Sequence, residues 1–230
     1  MFIGHFAVAF GAKRYAPRVQ LAWLTAGVAW ADILWTIFLL RGWEHVRIAP
    51  GDTKFTPLDL YDYPWTHSLL MLAVWGAALG AVYFARKKDV TGAWVLGLCV
   101  LSHWLLDCAT HRPDMPLYPG GPKFGLGLWN SIPGTLAVET GMFIAGVWLY
   151  TTATRAKNAV GKYAFWAYAA VLPILFYGNL LSPPPASVMP DIVWPGLIAC
   201  IVLVAWSWWF DANREIFASL VAVAEKRKNN

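Results

Sequence analysis

Residues 92–111 have the sequence GAWVLGLCVLSHWLLDCATH, an apolar run that carries ionisable groups only near its end, at His103, Asp107 and His111. An apolar stretch of roughly 20 residues can cross the hydrocarbon core of a bilayer as an α-helix. His103, Asp107 and His111 are spaced at i, i+4 and i+8, which places their side chains on one helix face. This stretch therefore predicts a membrane helix with a polar face.

Other apolar stretches of similar length flank this one on both sides. Together they predict an all-α fold, a polytopic membrane helical bundle with about six transmembrane helices. The predicted spans are Val19–Leu40, Ser68–Ala85, Gly92–Ala109, Ile132–Thr151, Tyr163–Leu181 and Ile192–Phe210. Met1–Ala12 is too short to span and predicts a half-depth helix, either re-entrant or packed inside the bundle.

The composition supports a membrane protein. Hydrophobic residues make up 58% of the chain and charged residues only 13%, whereas an ordinary soluble domain has about 25% charged residues. We expect a single integral membrane domain over residues 1–230, with a site-bearing core in residues 1–150 and additional helices in residues 163–225. A short polar stretch, Glu225–Asn230, predicts a solvated tail.

The basic residues lie at the ends of the apolar stretches. They form four clusters: Lys13, Arg14 and Arg18; Arg86, Lys87 and Lys88; Arg155, Lys157 and Lys162; and Lys226, Arg227 and Lys228. With six spans, all four clusters fall on one side, which the positive-inside rule predicts to be cytoplasmic. The basic residues behind the net charge of +5 therefore lie at the ends of membrane spans, where they set the topology, and do not form one basic patch. This distribution argues against a nucleic-acid partner.

Ionisable side chains inside the predicted spans need a physical reason, because each costs about 2.5–3.5 kcal/mol on insertion scales. Counted by helix rise from the basic flanks, Asp32, His67, His103 and Asp107 all lie roughly 18–28 Å along, in the same half of the membrane. His5 joins them only if its short segment tilts or re-enters. Imidazole and carboxylate donors suit a divalent metal, most of all zinc, with manganese or iron as alternatives. The predicted metal ligands are His5, Asp32, His67, His103 and Asp107.

Three further residues are candidates for catalysis. His111 is a predicted peripheral ligand or general acid, and Glu139 lies midway along the fourth span. Arg112, together with Arg47, would clamp a phosphate through paired hydrogen bonds. For the arginines the alternative is interfacial snorkelling, and for the acids and histidines it is hydrogen bonding that satisfies buried polar groups.

Four segments carry a resemblance to a known family. Gly4-His5-Phe6, Asp32, Thr66-His67-Ser68 and Ser102-His103-Trp104-Leu105-Leu106-Asp107 resemble the membrane-bound metal-dependent hydrolases of bacterial inner membranes, the YdjM-like group. The order of His and Asp is also distantly similar to that of zinc-dependent phospholipase C. The resemblance covers about residues 1–150 and implies hydrolysis at a metal site. Two elements are reduced here, the family's P-D-x-D-H to Ala31-Asp32-Ile33 and its H-R-G-x-T-H-S to Pro64–Ser68, which favours one or two metal ions over a polynuclear centre.

The sequence thus predicts a metal-dependent hydrolase of the bacterial inner membrane. Its substrate is expected to be an amphiphile or lipid, with a phosphoester as one option, which reaches the site from the outer face. The alternatives are a proton- or ion-coupled transporter, which would use Glu139 but lacks a visible pair of matching interrupted helices, and a non-enzymatic membrane subunit with a structural polar cluster. A di-iron oxidase is disfavoured because the chain has only five histidines. The oligomeric state is left open.

Overall fold

The computed structural model describes residues 1–217, and the predicted tail at residues 225–230 and the basic cluster at residues 226–228 lie outside them. The described part is a bundle of α-helices. Their bounds are α1 Ile3–Tyr15, α2 Leu21–Val28, α3 Trp30–Arg41, α4 Pro64–His67, α5 Leu69–Lys87, α6 Val90–Thr110, α7 Ile132–Ala153, α8 Ala159–Leu181 and α9 Trp194–Ala212. A π-helical turn, Met189–Val193, precedes α9.

Short antiparallel strand pairs close the loops between helices, a feature that the apolar pattern does not predict. The strands are β1 His45–Ile48, β2 Leu58–Asp62, β3 Met115–Pro116, β4 Lys123–Phe124, β5 Thr154–Ala156 and β6 Arg214–Ile216. They pair as β1 with β2, β3 with β4, and β5 with β6. The first two pairs lie at one end of the bundle, here called the loop end. The third lies at the opposite end, the basic end, beside the clusters at residues 13–18 and 155–162.

The membrane spans match the prediction in number. Five helices (α5 to α8, and α9 with its π turn) are long and apolar enough to cross a membrane, and α2 with α3 forms a sixth candidate span. Apolar side chains such as Trp94, Ile144, Ile174 and Ile201 face outward and are more than half exposed, as expected for surfaces in contact with lipid. The chain is therefore a membrane helical bundle.

The first span differs from the predicted continuous helix over residues 19–40. It is bent by 55° between α2 and α3, at Ala29, whose φ of −93° and ψ of 4° leave the helical region. At this break the Val28 carbonyl accepts a hydrogen bond of 2.8 Å from His103 Nδ1. The Val28 carbonyl, next to the bend, is therefore hydrogen-bonded to a side chain of another helix. Within the described residues this is the one span bent in this way.

The N-terminal helix α1 lies inside the bundle rather than along its surface. Most of its side chains are buried, including His5 and Phe10. It packs against α7 at Gly146, where a Cβ atom would lie only 2.6 Å from the backbone of Ala7. This close approach of two backbones is typical of small residues between membrane helices. Of the two arrangements predicted for this segment, packing inside the bundle is the one observed.

A buried charge network ties α1 to the basic ends of α7 and α9. Lys13 Nζ lies 2.7 Å from Asp211 Oδ2 and also donates to the Val19 carbonyl at 2.8 Å. The Tyr150 hydroxyl donates to Asp211 Oδ1 at 2.6 Å, and the Leu21 amide donates to Oδ2 at 2.9 Å. Both charges are paired and hydrogen-bonded, which offsets the cost of burying them.

Candidate metal centre

His103 and Asp107 form the centre of the polar cluster and lie one turn apart on α6. His103 Nε2 is 3.0 Å from Asp107 Oδ2, and both side chains are almost fully buried. Since His103 Nδ1 donates its hydrogen to the Val28 carbonyl, the lone pair of a neutral ring lies on Nε2. That nitrogen is buried, and apart from its approach to Asp107 it has no hydrogen-bond partner in the described part of the chain. A second-sphere bond that fixes the tautomer in this way is typical of metal-binding histidines.

Asp32 and His67 join the cluster from two other segments. Asp32 lies in the first turn of α3, directly after the helix break, and its Oδ1 is 3.8 Å from His103 Nε2 and 3.7 Å from His67 Nε2. The imidazoles of His67 and His103 have centroids 5.1 Å apart. The bend at Ala29 thus starts a new helix with Asp32 facing two histidines.

His5 completes the group from within the bundle. Its Nε2 is 3.0 Å from Asp107 Oδ1, and its ring stacks on His103 with centroids 3.9 Å apart and planes at 4°. The amino group of Met1 also contacts Asp107 Oδ1, at 2.5 Å. From the sequence, His5 was expected to join the cluster only if its short helix tilted or re-entered the membrane. Because α1 is buried inside the bundle, His5 lies beside the other four candidate ligands.

The donor set fits a divalent metal ion. Two overlapping triads, His5–His103–Asp107 and Asp32–His67–His103, each offer ligand atoms that lie within 4.8 Å of one another. Zinc bonds to nitrogen and oxygen are about 2.0–2.2 Å long, so tetrahedral ligands lie about 3.4 Å apart. The observed separations of 3.0–3.8 Å bracket that value. Mixed nitrogen and oxygen donors of this kind suit zinc, manganese or iron.

Glu44 and Thr66 hold His67 in place, a role that the sequence did not indicate for either residue. The Thr66 hydroxyl donates to Glu44 Oε2 at 2.6 Å and lies 2.8 Å from His67 Nδ1. Glu44 Oε1 accepts from the amides of Trp65 and Thr66, at 2.7 and 2.9 Å. Burial raises the pKa of Glu44, in the loop after α3, to about 7. The adjacent Thr66 and His67 could have indicated a hydrogen bond that orients this histidine. The partner Glu44 is 22 residues away from Thr66, and the sequence does not indicate it.

His111 lies at the edge of the cluster. Its Nε2 is 3.7 Å from Asp107 Oδ2, and its Nδ1 is 3.0 Å from Asp114 Oδ1. The Tyr63 hydroxyl donates to the same Asp114 oxygen at 2.8 Å, and burial raises the pKa of this phenol well above its usual value. The imidazole packs on Trp129 with ring centroids 4.1 Å apart. His111 therefore connects the buried cluster to the hydrogen-bonded pair of Asp114, in the loop that follows α6, and Tyr63, directly before α4.

Arg112 is held by carboxylates instead of facing the cluster. Its guanidinium contacts Asp52, Asp59 and Asp114. Arg47 also contacts Asp59, at 2.5 Å. The donors that a phosphate clamp would use therefore point to side chains of the loop end, and neither arginine lines the cavity described below.

Glu139 contacts the start of α1 and none of the predicted ligands. It is fully buried on α7, and its Oε2 accepts from the amides of Phe2 and Gly4 at 2.7 and 3.3 Å. These amides belong to the first turn of α1, where backbone N–H groups have no helical acceptor. Its Oε1 has no hydrogen-bond partner among the described residues.

A cavity of about 920 Å³ reaches the cluster from the loop end. His5 and Asp32 form part of its lining, and the Asp32 side chain is 43% exposed, whereas the other four candidate ligands are nearly buried. Its walls come from α3, α8, α9 and the loop between β1 and β2. The cluster is thus open to a small molecule on the Asp32 side.

Comparison with known families gives a match to the model described as "YdjM inner membrane protein" over residues 2–181. Comparison with curated proteins and with solved structures gives no match. The matched region covers more than half of the chain and includes all five candidate ligands. The chain therefore belongs to the YdjM inner membrane protein family and is a multi-pass inner membrane protein.

Proposed function

We propose that this member of the YdjM inner membrane protein family is a membrane-embedded metal-dependent hydrolase that acts on an amphiphilic or lipid-type substrate. One observation carries the proposal. Three imidazoles and two carboxylates from four segments distant in sequence converge at ligand-like separations, at the end of a cavity that one of them lines openly. Zinc is the proposed metal, with manganese and iron as alternatives.

His5, His67 and His103 would offer Nε2 to the ion, and Asp32 and Asp107 would offer carboxylate oxygens. A bound divalent cation supplies Lewis acidity, which activates water and polarises the scissile bond near neutral pH. Asp32, the exposed ligand, lies where substrate and water reach the cluster. His111 lies beside Asp107 and bonds to Asp114, so it is placed to carry a proton between the cluster and the loop end.

The loop end is proposed to face the periplasm. The clusters of lysine and arginine at residues 13–18, 86–88 and 155–162 lie at the opposite end, and such clusters favour the cytoplasmic side. The substrate would then enter from the outer leaflet. A reporter fused to the C-terminus tests this orientation, because a periplasmic signal would contradict it.

Metal analysis by mass spectrometry tests the centre itself. Protein purified without added metal is compared with the double variant His103→Ala, Asp107→Ala. The control is His45→Ala, since His45 pairs with Asp62 on the exposed β1–β2 hairpin. We expect stoichiometric zinc, manganese or iron in wild type and in the control, and its loss in the double variant. Metal-free wild-type protein that is folded would refute the hydrolase.

The alternative of a proton-coupled carrier rests on Glu139. In the structure this carboxylate accepts hydrogen bonds from the first turn of α1, which accounts for its burial without a transport role. Within the described residues one bent span is present, whereas carriers of this type have interrupted helices in corresponding halves. A structural polar cluster is distinguished from the hydrolase by the same metal analysis.

A further inference from the structure

The cavity has a polar inner end and an apolar wall. His5 and Asp32 lie at the inner end, while the wall contributed by α8, the π-helical turn and α9 is largely apolar, with Asn179 and Asp191 among its few polar members. This wall includes Leu175, Leu180, Ile192, Ala199 and Leu203. Apolar linings with a few convergent polar groups are characteristic of ligand sites.

The apolar wall reaches as deep as the cluster. Asp32 lies nine residues from the loop end of α3 at Arg41, and Leu203 lies nine residues from the loop end of α9 at Trp194. At 1.5 Å per residue both positions are about 14 Å along their helices. A hydrocarbon group can therefore contact α9 over the whole depth of the cavity. Most of this wall lies beyond residue 181, where the family match ends.

Positive side chains are scarce in this cavity. Among the described residues, Lys54 is the one lysine or arginine that lines it, and it is exposed in the loop between β1 and β2. Arg47 and Arg112 bind carboxylates elsewhere, and the Met1 amino group pairs with Asp107. Sites that transfer phosphoryl groups instead neutralise the substrate with arginine, lysine or several metal ions.

Two of the three candidate imidazole ligands, those of His103 and His67, are arranged to share one ion. His103 and His67 each use Nδ1 in a hydrogen bond, to the Val28 carbonyl and to the Thr66 hydroxyl. Each imidazole therefore offers Nε2 alone, and both of these atoms face Asp32 Oδ1. One divalent ion with the carboxylates of Asp32 and Asp107 and the paired Met1 amino group leaves a single positive charge, so it attracts an anionic phosphoester less strongly than a site with several metal ions or arginines does.

From these features we infer that the scissile bond is a neutral acyl bond, a carboxylic ester or amide, in an amphiphile whose hydrocarbon part packs against α8 and α9. The inference rests on the proposed hydrolase and names its substrate class. The hydroxyl of water joins the acyl carbon, the C–O or C–N bond breaks, and the remaining proton goes to the leaving oxygen or nitrogen. A carboxylic acid and an alcohol or amine are the products.

This substrate class is tested by the binding of two amphiphiles that have a twelve-carbon hydrocarbon chain in common and differ in the head group. Dodecanoyl hydroxamate presents an acyl group to a metal ion, and dodecyl phosphate presents a phosphoester. Their affinities for the purified, metal-loaded protein are measured by calorimetry. We expect the hydroxamate to bind at least about tenfold more tightly, a difference worth about 1.4 kcal/mol. Because a hydroxamate chelates zinc at any open site, hydrolysis of 4-nitrophenyl dodecanoate and of dodecyl phosphate is measured with the same protein, and only the ester should be cleaved.

Two tryptophan variants on α9 test the apolar wall. Ala199→Trp fills the cavity, whereas Ile201→Trp lies on the outer face, where the side chain is 58% exposed. We expect Ala199→Trp to lose at least about tenfold in hydroxamate affinity while retaining wild-type metal content, which reports an intact cluster. Ile201→Trp should bind the hydroxamate like wild type.

The outcomes separate the inference from the proposed function. Equal or tighter binding of dodecyl phosphate would overturn the acyl substrate but leave a metal-dependent hydrolase. If Ala199→Trp keeps its metal and still binds the hydroxamate like wild type, the hydrocarbon chain of the ligand does not pack against α9, and that part of the inference is overturned. Absence of metal from wild-type protein would overturn the proposed function, and the inference with it.

Discussion

Replacement of Thr66 by valine tests whether the hydroxyl of this residue orients His67. Valine keeps the shape of the side chain but removes the atom that lies 2.6 Å from Glu44 Oε2 and 2.8 Å from His67 Nδ1. Thr66 is fully buried, so water cannot take the place of the hydroxyl. The imidazole N–H of His67 then has no acceptor, and Glu44 loses one donor.

The magnitude follows from two independent estimates. A buried polar group without its partner costs about 1–3 kcal/mol, which corresponds to about 5- to 150-fold in an equilibrium constant. Loss of an outer hydrogen bond to a metal ligand lowers metal affinity by about 10- to 100-fold. We therefore expect the zinc affinity of Thr66→Val to fall by about 10- to 100-fold.

Competition with a chromophoric chelator in detergent measures this affinity, and thermal denaturation of the metal-free protein reports stability separately. Thr135→Val is the matched control, because Thr135 is also fully buried and its hydroxyl bonds to the Leu128 carbonyl at 2.9 Å, away from the ligands. Wild-type zinc affinity in Thr66→Val would refute the role given to this hydroxyl. So would an equal loss of affinity in Thr135→Val.

Three further predictions concern pH, the buried ion pair and helix packing. The pKa of Glu44 rises from 4.5 to about 7 on folding because the carboxyl is buried, so the folded state binds a proton more tightly than the unfolded chain. The contribution of Glu44 to stability should therefore increase by up to about 3 kcal/mol as the pH falls from 7 toward 4.5, and this contribution is measured as the pH-dependent difference in thermal denaturation between wild type and Glu44→Gln. Asp211→Asn leaves Lys13 buried without a counter-charge and should cost about 3–5 kcal/mol in denaturant unfolding, while metal content stays unchanged; a normal unfolding midpoint would contradict the pairing. Gly76→Ala places a Cβ 2.7 Å from a carbonyl of the neighbouring helix, whereas at Gly141 nothing lies within 4 Å, so only the first alanine should lower the melting temperature, at a cost of about 1–3 kcal/mol.

The membrane spans were predictable because an apolar run of sufficient length satisfies its backbone only as a helix. The polar face of α6 was predictable for a similar reason, since the i, i+4, i+8 spacing of His103, Asp107 and His111 depends on helix geometry alone. The separation of 3.0 Å between His103 and Asp107 is the result. Local sequence determines these features, and no tertiary contact is needed to foresee them.

The features that the sequence did not predict depend on tertiary contacts. Glu139 contacts α1 across 137 residues of chain, and no periodicity within α7 indicates that partner. Arg112 contacts Asp52 in the loop between β1 and β2 and Asp59 in β2, and the spacing of apolar residues does not indicate that this hairpin folds back onto Arg112. For both residues the sequence shows an ionisable side chain in or beside an apolar stretch, where burying a charge costs free energy. It does not show which group pairs with that side chain.

The bend between α2 and α3 links the fold to the candidate site. An apolar run over residues 19–40 is compatible with a straight helix, and a buried carbonyl at Val28 needs a donor in either conformation. His103 is that donor, and the same hydrogen bond leaves Nε2 free to bind a metal. Removal of His103 would therefore withdraw a candidate ligand and also release the helix that positions Asp32. Asp107→Ala, by contrast, would remove a ligand with the Val28 bond intact, so it is the variant that separates loss of metal from loss of the bend.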